Sequence, residues 1–143
     1  MKFKTARFGE IDFNAEDIIE FPEGPAGFPD FTKFVIIEKE KELPYRTLQS
    51  LDDPVFAFVI IDPLLARADY KIDVTQDDLK HLKTVSIKNL EIYVIVNMSR
   101  DPNKITVNLR GPIIINREEG LGHQFNLSDS TYSIQEKLSP EKA

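Results

Sequence analysis

Over most of its length the chain alternates apolar and polar residues at the two-residue period of a strand, not the 3.6-residue period of a helix. Leu90, Ile92, Val94, Val96 and Met98 oppose Glu91, Tyr93, Ile95 and Asn97, and Ile105, Val107 and Leu109 oppose Thr106, Asn108 and Arg110. Between these runs, SRDPNK sets Pro102 and Asn103 where a type I turn wants them, so the pair predicts an antiparallel hairpin. Lys2 to Thr5 and Glu10 to Phe13 predict a first hairpin about Phe8-Gly9. Further strands are expected over Asp17 to Phe21, Lys33 to Glu38, Tyr45 to Ser50, Ile113 to Ile115 and His123 to Leu127. Val55 to Ile61 differs from the rest. Val55, Ala57, Val59 and Ile61 lie on one side, and Phe56, Phe58 and Ile60 on the other, so this segment reads as a core strand covered on both faces.

Helix signals are few. Thr75 followed by Gln76, Asp77, Asp78, Leu79 and Leu82 predicts a short helix with Thr75 as its cap, and Pro63 to Ala68 predicts one further helical turn. FPEGPAGFPDF (21–31) carries three prolines and two glycines, which makes it a loop, with Phe21, Phe28 and Phe31 available to pin it. KEKEL (39–43) reads as an exposed charged turn. Gly111-Pro112 interrupts a strand pattern, and a proline there cannot donate to a ladder, so it marks a bulge, a corner or a sheet edge. The expected fold is all-β and mostly antiparallel, a single small β-barrel-like domain over 1–138 with one or two short helices, followed by a loose tail over 139–143.

Composition narrows the functional classes. The chain has 143 residues, 41% of them hydrophobic and 10% aromatic, enough for one packed core. It has no cysteine, which removes disulfides, thiolate metal sites and cysteine nucleophiles together and suits a cytoplasmic setting. No apolar run approaches a membrane span, and MKFKTARFGE has no signal-peptide core. The net charge is −6. Between Glu10 and Asp30 stand seven acids (Glu10, Asp12, Glu16, Asp17, Glu20, Glu23, Asp30) and no Lys or Arg, a stretch that repels nucleic acid and favours a basic partner unless it is simply a solvated edge.

The candidate chemistry is sparse. Asp52-Asp53 before Pro54, and Asp62 before Pro63, are read first as turn chemistry; in extended backbone, adjacent carboxylates point apart and cannot flank one bond. The two histidines, His81 and His123, are far apart in sequence with no ligand spacing, and read as a helix-terminal and a surface residue. No GxSxG and no phosphate-binding loop is present. The expectation is therefore no catalytic residue, no metal, no cofactor and no small-molecule substrate. Polar groups set among apolar strands stand out: Gln49 and Ser50 before Leu51, and Asn108 and Arg110 around Leu109. They are expected either to stitch neighbouring strands or to form an open edge for a partner chain.

Three blocks, FPEGPAGF (21–28), LQSLDDPVFAFVIIDP (48–63) and TVNLRGPIIIN (106–116), resemble in order and spacing the flagellar assembly factor FliW family. Gln124 and Tyr132 also fit it, and Gly111, where many relatives carry alanine, keeps a small residue. The resemblance implies a cytoplasmic, non-enzymatic regulator that binds flagellin and, alternatively, the translational repressor CsrA, a small dimer with a basic RNA-binding surface. Capture of CsrA would antagonise its repression of flagellin mRNA translation, with no direct contact to nucleic acid or membrane. The protein-binding residues expected are Gln49, Ser50, Asp52, Asp53, Pro54, Asn108, Arg110 and Pro112, each beside a break at the end of a buried strand. The competing expectations are a chaperone for flagellin alone, and a small β-barrel ligand-binding protein or hydrolase working through Asp52, Asp53 or Asp62.

Overall fold

The computed structural model describes residues 1–138; the tail expected over 139–143 lies outside them. A first hairpin pairs β1 (Lys2–Thr5) with β2 (Gly9–Asp12). Its turn is closed by Thr5, whose hydroxyl donates to the Gly9 carbonyl and accepts the Phe8 N–H, both at 2.9 Å. The main sheet contains β3 (Ile19–Glu20), β4 (Lys33–Ile37), β5 (Arg46–Ser50), β6 (Ala57–Ile61), β7 (Glu91–Asn97), β8 (Thr106–Val107), β9 (Ile113–Asn116), β10 (Leu121–Gln124) and β11 (Glu136–Lys137). Neighbours pair in the order β3, β4, β5, β6, β7, β9, β10, and β10 returns to β3 in parallel, closing a seven-stranded barrel; β8 and β11 extend the sheet from β7. Closure leaves no free edge within the ring.

Side chains fill the interior. Ile19, Phe21, Phe34, Leu48, Ile60, Tyr93, Ile113 and Ile115 form one buried cluster, with Phe58 and Ile95 packed against it, so most strands of the ring send a residue inward. On β10 the inward position is Gly122, where a Cβ would lie 2.5 Å from the Phe21 ring; the phenylalanine takes the space the glycine leaves. A second cluster lies outside the barrel wall. Ile61, Val94, Val96, Val107 and Leu109 pack there against Ala66 and Tyr70 of the 62–90 connection, and Leu138 covers them. A third places Leu82 on Ile114 and Leu121. Leu82 follows α1 (Gln76–Lys80), which Thr75 caps by accepting the Asp78 N–H at 3.1 Å, as its sequence predicts.

The two-faced reading of 55–61 holds for its second half. Ile60 points inward with Phe58 beside it, while Val59 and Ile61 join the outer cluster. Its first half needs correcting: the strand starts at Ala57, and Val55 is 77% exposed because the outer cover stops short of it. The strand expected over 17–21 shrinks to Ile19–Glu20, since Ala15–Asp17 form a helical turn in which the Asp17 carboxylate accepts the Asn14 N–H at 2.8 Å. The strand expected at 123–127 begins two residues earlier, at Leu121, and β11 was not expected at all. The predicted β7–β8 hairpin forms, joined by a 3₁₀ turn over Pro102–Lys104.

Gly111-Pro112 marks a bulge. Val96 faces Val107 while Tyr93 faces Ile113, so three steps along β7 match six on the opposite strand. The extra residues lie within 108–112, where the proline has no ladder bond to lose.

Candidate functional site

The strand directions bring the candidate segments to one rim of the barrel. The ends of β3, β5, β7 and β10 meet the starts of β4, β6 and β9 there, as the registers Glu20↔Lys33, Phe34↔Ser50, Gln49↔Ala57, Val59↔Val96, Tyr93↔Ile113 and Ile113↔Gln124 require. This rim carries the 21–32 loop, the 50–56 turn and the 108–112 bulge. Two sequence-predicted patches, 59 residues apart at Gln49 and Asn108, thus belong to one end of the molecule.

The 50–56 turn is built by its own polar groups. Ser50 is fully buried, and its hydroxyl accepts the N–H groups of Asp52 (2.9 Å) and Asp53 (3.0 Å). Gln49, 1% exposed, aims its amide Nε2 at four carbonyls, those of Ser50 (3.0 Å), Pro54 (3.3 Å), Phe56 (3.3 Å) and Asp53 (3.4 Å). The Asp53 carboxylate accepts the Val55 N–H at 2.8 Å, and Asp52 accepts from Thr32 (2.9 Å) and Lys33 (3.1 Å), tying the turn to the 21–32 loop. Asp62 likewise accepts the Leu64 N–H at 2.9 Å. Asp53 and Asp62 do the local turn work expected of them, whereas Asp52 crosses to the neighbouring loop and strand.

The loop spans the rim between the two patches. Gly24 holds φ +69°, and a Cβ there would lie 2.2 Å from the Phe28 carbonyl, so only glycine fits. Phe28 and Phe31 lie on Phe56, with centroids 4.6 and 4.4 Å apart, and Phe58 meets Phe56 edge-on at 5.0 Å. Phe28 remains 41% exposed, leaving an aromatic surface at the rim. At the loop's far side the Ala26 N–H donates to Gln124 Oε1 (2.8 Å), whose Nε2 donates to the Gly111 carbonyl in the bulge (3.1 Å). In the bulge, Asn108 Oδ1 accepts the Arg110 N–H at 3.0 Å, and Arg110 Nε donates to the Tyr132 carbonyl at 3.0 Å. Ala26, Asn108, Arg110, Gln124 and Ile134 line a shallow cleft of about 230 Å³. Tyr70, buried behind the bulge, donates to the Leu109 carbonyl at 2.8 Å, and burial pushes its hydroxyl pKa well above the ordinary value.

The structure therefore sorts the eight candidate residues. Gln49, Ser50 and Pro112 are buried and hold the rim in shape; Asp53, Asn108 and Arg110 are half-buried; Asp52 and Pro54 are exposed. Sequence reasoning did not anticipate Gln124 as the clamp between loop and bulge, although a glutamine facing the Gly111 carbonyl through the β9–β10 pairing is the signal that marks it.

It also kept apart two residues that meet. His81, just beyond α1, stacks on His123 of β10 with ring centroids 4.4 Å apart and planes 14° from parallel, and Phe125 closes on His123 edge-on at 4.5 Å. Glu23 of the loop brings a carboxylate oxygen 3.9 Å from His123 Nδ1. Burial, and then the neighbouring His81, hold the His123 pKa below its ordinary value. Glu23, His81 and His123 each offer a donor atom, all within 4.8 Å of one another.

Among the described residues no helix is long and apolar enough to cross a membrane. A family profile described as FliW protein matches residues 2–138. The chain is 37% identical over 142 residues to the flagellar assembly factor FliW of Caldanaerobacter subterraneus, covering 99% of this chain and 95% of that one. The FliW of Thermosipho africanus is 39% identical over 140 residues, covering 97% and 96%. That of Alkaliphilus metalliredigens is 35% identical over 142 residues, covering 99% and 88%. A crystal structure of the flagellar assembly factor FliW superposes with a TM-score of 0.90 at 32% identity, covering both chains completely. The closed barrel, its glycine-proline bulge and these whole-length matches agree: the chain belongs to the FliW family of flagellar assembly factors.

Proposed function

We propose that this flagellar assembly factor works as a non-enzymatic, cytoplasmic partner switch, binding flagellin and, alternatively, CsrA, and so antagonising CsrA repression of flagellin mRNA translation. One observation carries the reading. Glu16, Asp17, Glu20 and Asp30 are exposed and form no ion pair among the described residues, although Lys33 stands opposite Glu20 in the ladder, and they make an acid-rich segment through β3 and the rim loop. Such a segment attracts a basic dimer at long range and repels the phosphate backbone that competes for it. The rim adds what charge alone lacks, a rigid aromatic surface at Phe28 beside the exposed Asp52 and Pro54. A hydrolase or ligand-binding barrel is the weaker reading. The interior is packed with side chains, and Asp52, Asp53 and Asp62 are engaged by backbone amides.

Calorimetric titration with CsrA at two salt concentrations, with and without flagellin, tests the proposal. The expected outcome is saturable binding that weakens as salt rises and disappears when flagellin is present. Heat with flagellin but none with CsrA would reduce the function to that of a flagellin chaperone. No heat with either would overturn the reading.

A further inference from the structure

We infer that Glu23, His81 and His123 form a binding site for a divalent transition metal of the zinc class. The three side chains come from a rim loop, the end of α1 and β10, segments that share no sequence neighbourhood, and the fold sets their donor atoms within 4.8 Å of one another. Two imidazoles and one carboxylate suit zinc, nickel or cobalt and disfavour calcium and magnesium, which prefer all-oxygen sets.

The donors are uncommitted. Among the described residues, neither imidazole makes a hydrogen bond, and the Glu23 carboxylate has no partner besides the 3.9 Å approach to His123. This is unusual at a rim where the neighbouring polar groups are taken up; Gln124, next to His123, uses both ends of its amide. In the stack the two ring planes are only 14° from parallel, so their in-plane lone pairs do not converge; the exposed His81 must turn out of the stack to share an ion with His123 and Glu23. Bonds of about 2.0–2.1 Å to a tetrahedral ion put donors roughly 3.3 Å apart. The groups must therefore close by about 1.5 Å at most, and Glu23 and His81 are exposed and free to do so. His123, half-buried under Phe125, is the fixed anchor.

Three protein ligands leave a coordination position for water or an incoming group. The bound ion would pin the 21–32 loop to β10 and α1, a cross-link on the same rim as the Phe28 surface. This inference rests on the local geometry and stands or falls independently of the flagellin and CsrA reading.

The test is equilibrium dialysis of the tag-free chain against zinc(II), with cobalt(II) as a spectroscopic probe. One ion per chain is expected, together with visible cobalt absorption. His81→Ala should weaken binding at least about tenfold, His123→Ala similarly, and Glu23→Gln by less. His81 is exposed, so its variant should remain folded by circular dichroism. As a second readout, zinc should slow hydrogen exchange of the loop amides over 23–28 in the parent and not in His81→Ala. Absence of saturable binding by the parent would overturn the site, as would a His81→Ala variant that binds zinc like the parent.

Discussion

Two clusters of polar side chains share one rim of this barrel, and they are built in opposite ways. In the 50–56 turn the donors and acceptors of Gln49, Ser50, Asp52 and Asp53 are spent on backbone groups of the turn itself or of the adjoining loop. Beside Gln124, the Glu23–His81–His123 group spends almost nothing. Saturated polar groups fix a shape; unsaturated ones keep a capacity to bind. The turn should thus respond to mutation through stability, and the histidine group through ligands and protons.

The largest effect that would sharpen this contrast belongs to Gln49→Ala. It removes a buried amide donor that faces four carbonyls. A loss of about 2–3 kcal/mol is expected in urea unfolding. A variant as stable as the parent would mean that water satisfies the carbonyls and that the turn is not saturated as described. Ser50→Ala should come next, at roughly 1–2 kcal/mol, because two buried N–H groups lose their acceptor.

Asp52→Ala is expected to cost less, about 1 kcal/mol, since the Thr32 and Lys33 amides it frees lie near solvent. Its signature is local: faster hydrogen exchange at Thr32 and Lys33 with the barrel strands unchanged. Asp52→Asn keeps an acceptor oxygen and should recover most of the loss. If both variants exchange alike, the carboxylate is not what ties the loop to the turn.

The same contrast explains what was legible in the sequence. Turn chemistry is local, and Asp before Pro can be read from adjacent letters. So can strand alternation, the Thr75 cap and the Gly111-Pro112 interruption. Ser50, expected to stitch strands or face a partner, instead accepts the amides two and three residues on in its own turn. The outer cluster was harder to read. Val55 looks like core by alternation, but whether a face is covered depends on where the 62–90 connection stops, which no local pattern reports. β11 pairs through only Glu136 and Lys137, too few residues for a period to register. The histidine group was invisible for a topological reason. Residues 23 and 123 meet because the ring closes through the parallel β3–β10 pairing, and His81 joins them because Leu82 packs on Ile114 and Leu121; neither long-range contact has a sequence signature.

The smallest effect tests the unsaturated side of the contrast. At pH 8, His81→Ala should change stability by less than about 0.5 kcal/mol, as expected for an exposed residue whose side chain makes no hydrogen bond. Acidification should separate it from the parent. His123 faces His81, Glu23, Asp78 and the Phe125 ring, and burial with His81 outweighs the two acids, so its folded pKa lies below the ordinary 6.5. The unfolded chain then takes up the proton first. The stability gained by keeping His123 neutral is complete above pH 6.5 and declines as pH falls from there through the folded-state pKa. Removing His81 removes the second cause of the depression, so thermal melts of the variant should fall less steeply across this window than those of the parent. Parallel curves would show that burial alone depresses His123 and that the stacked pair is electrostatically silent.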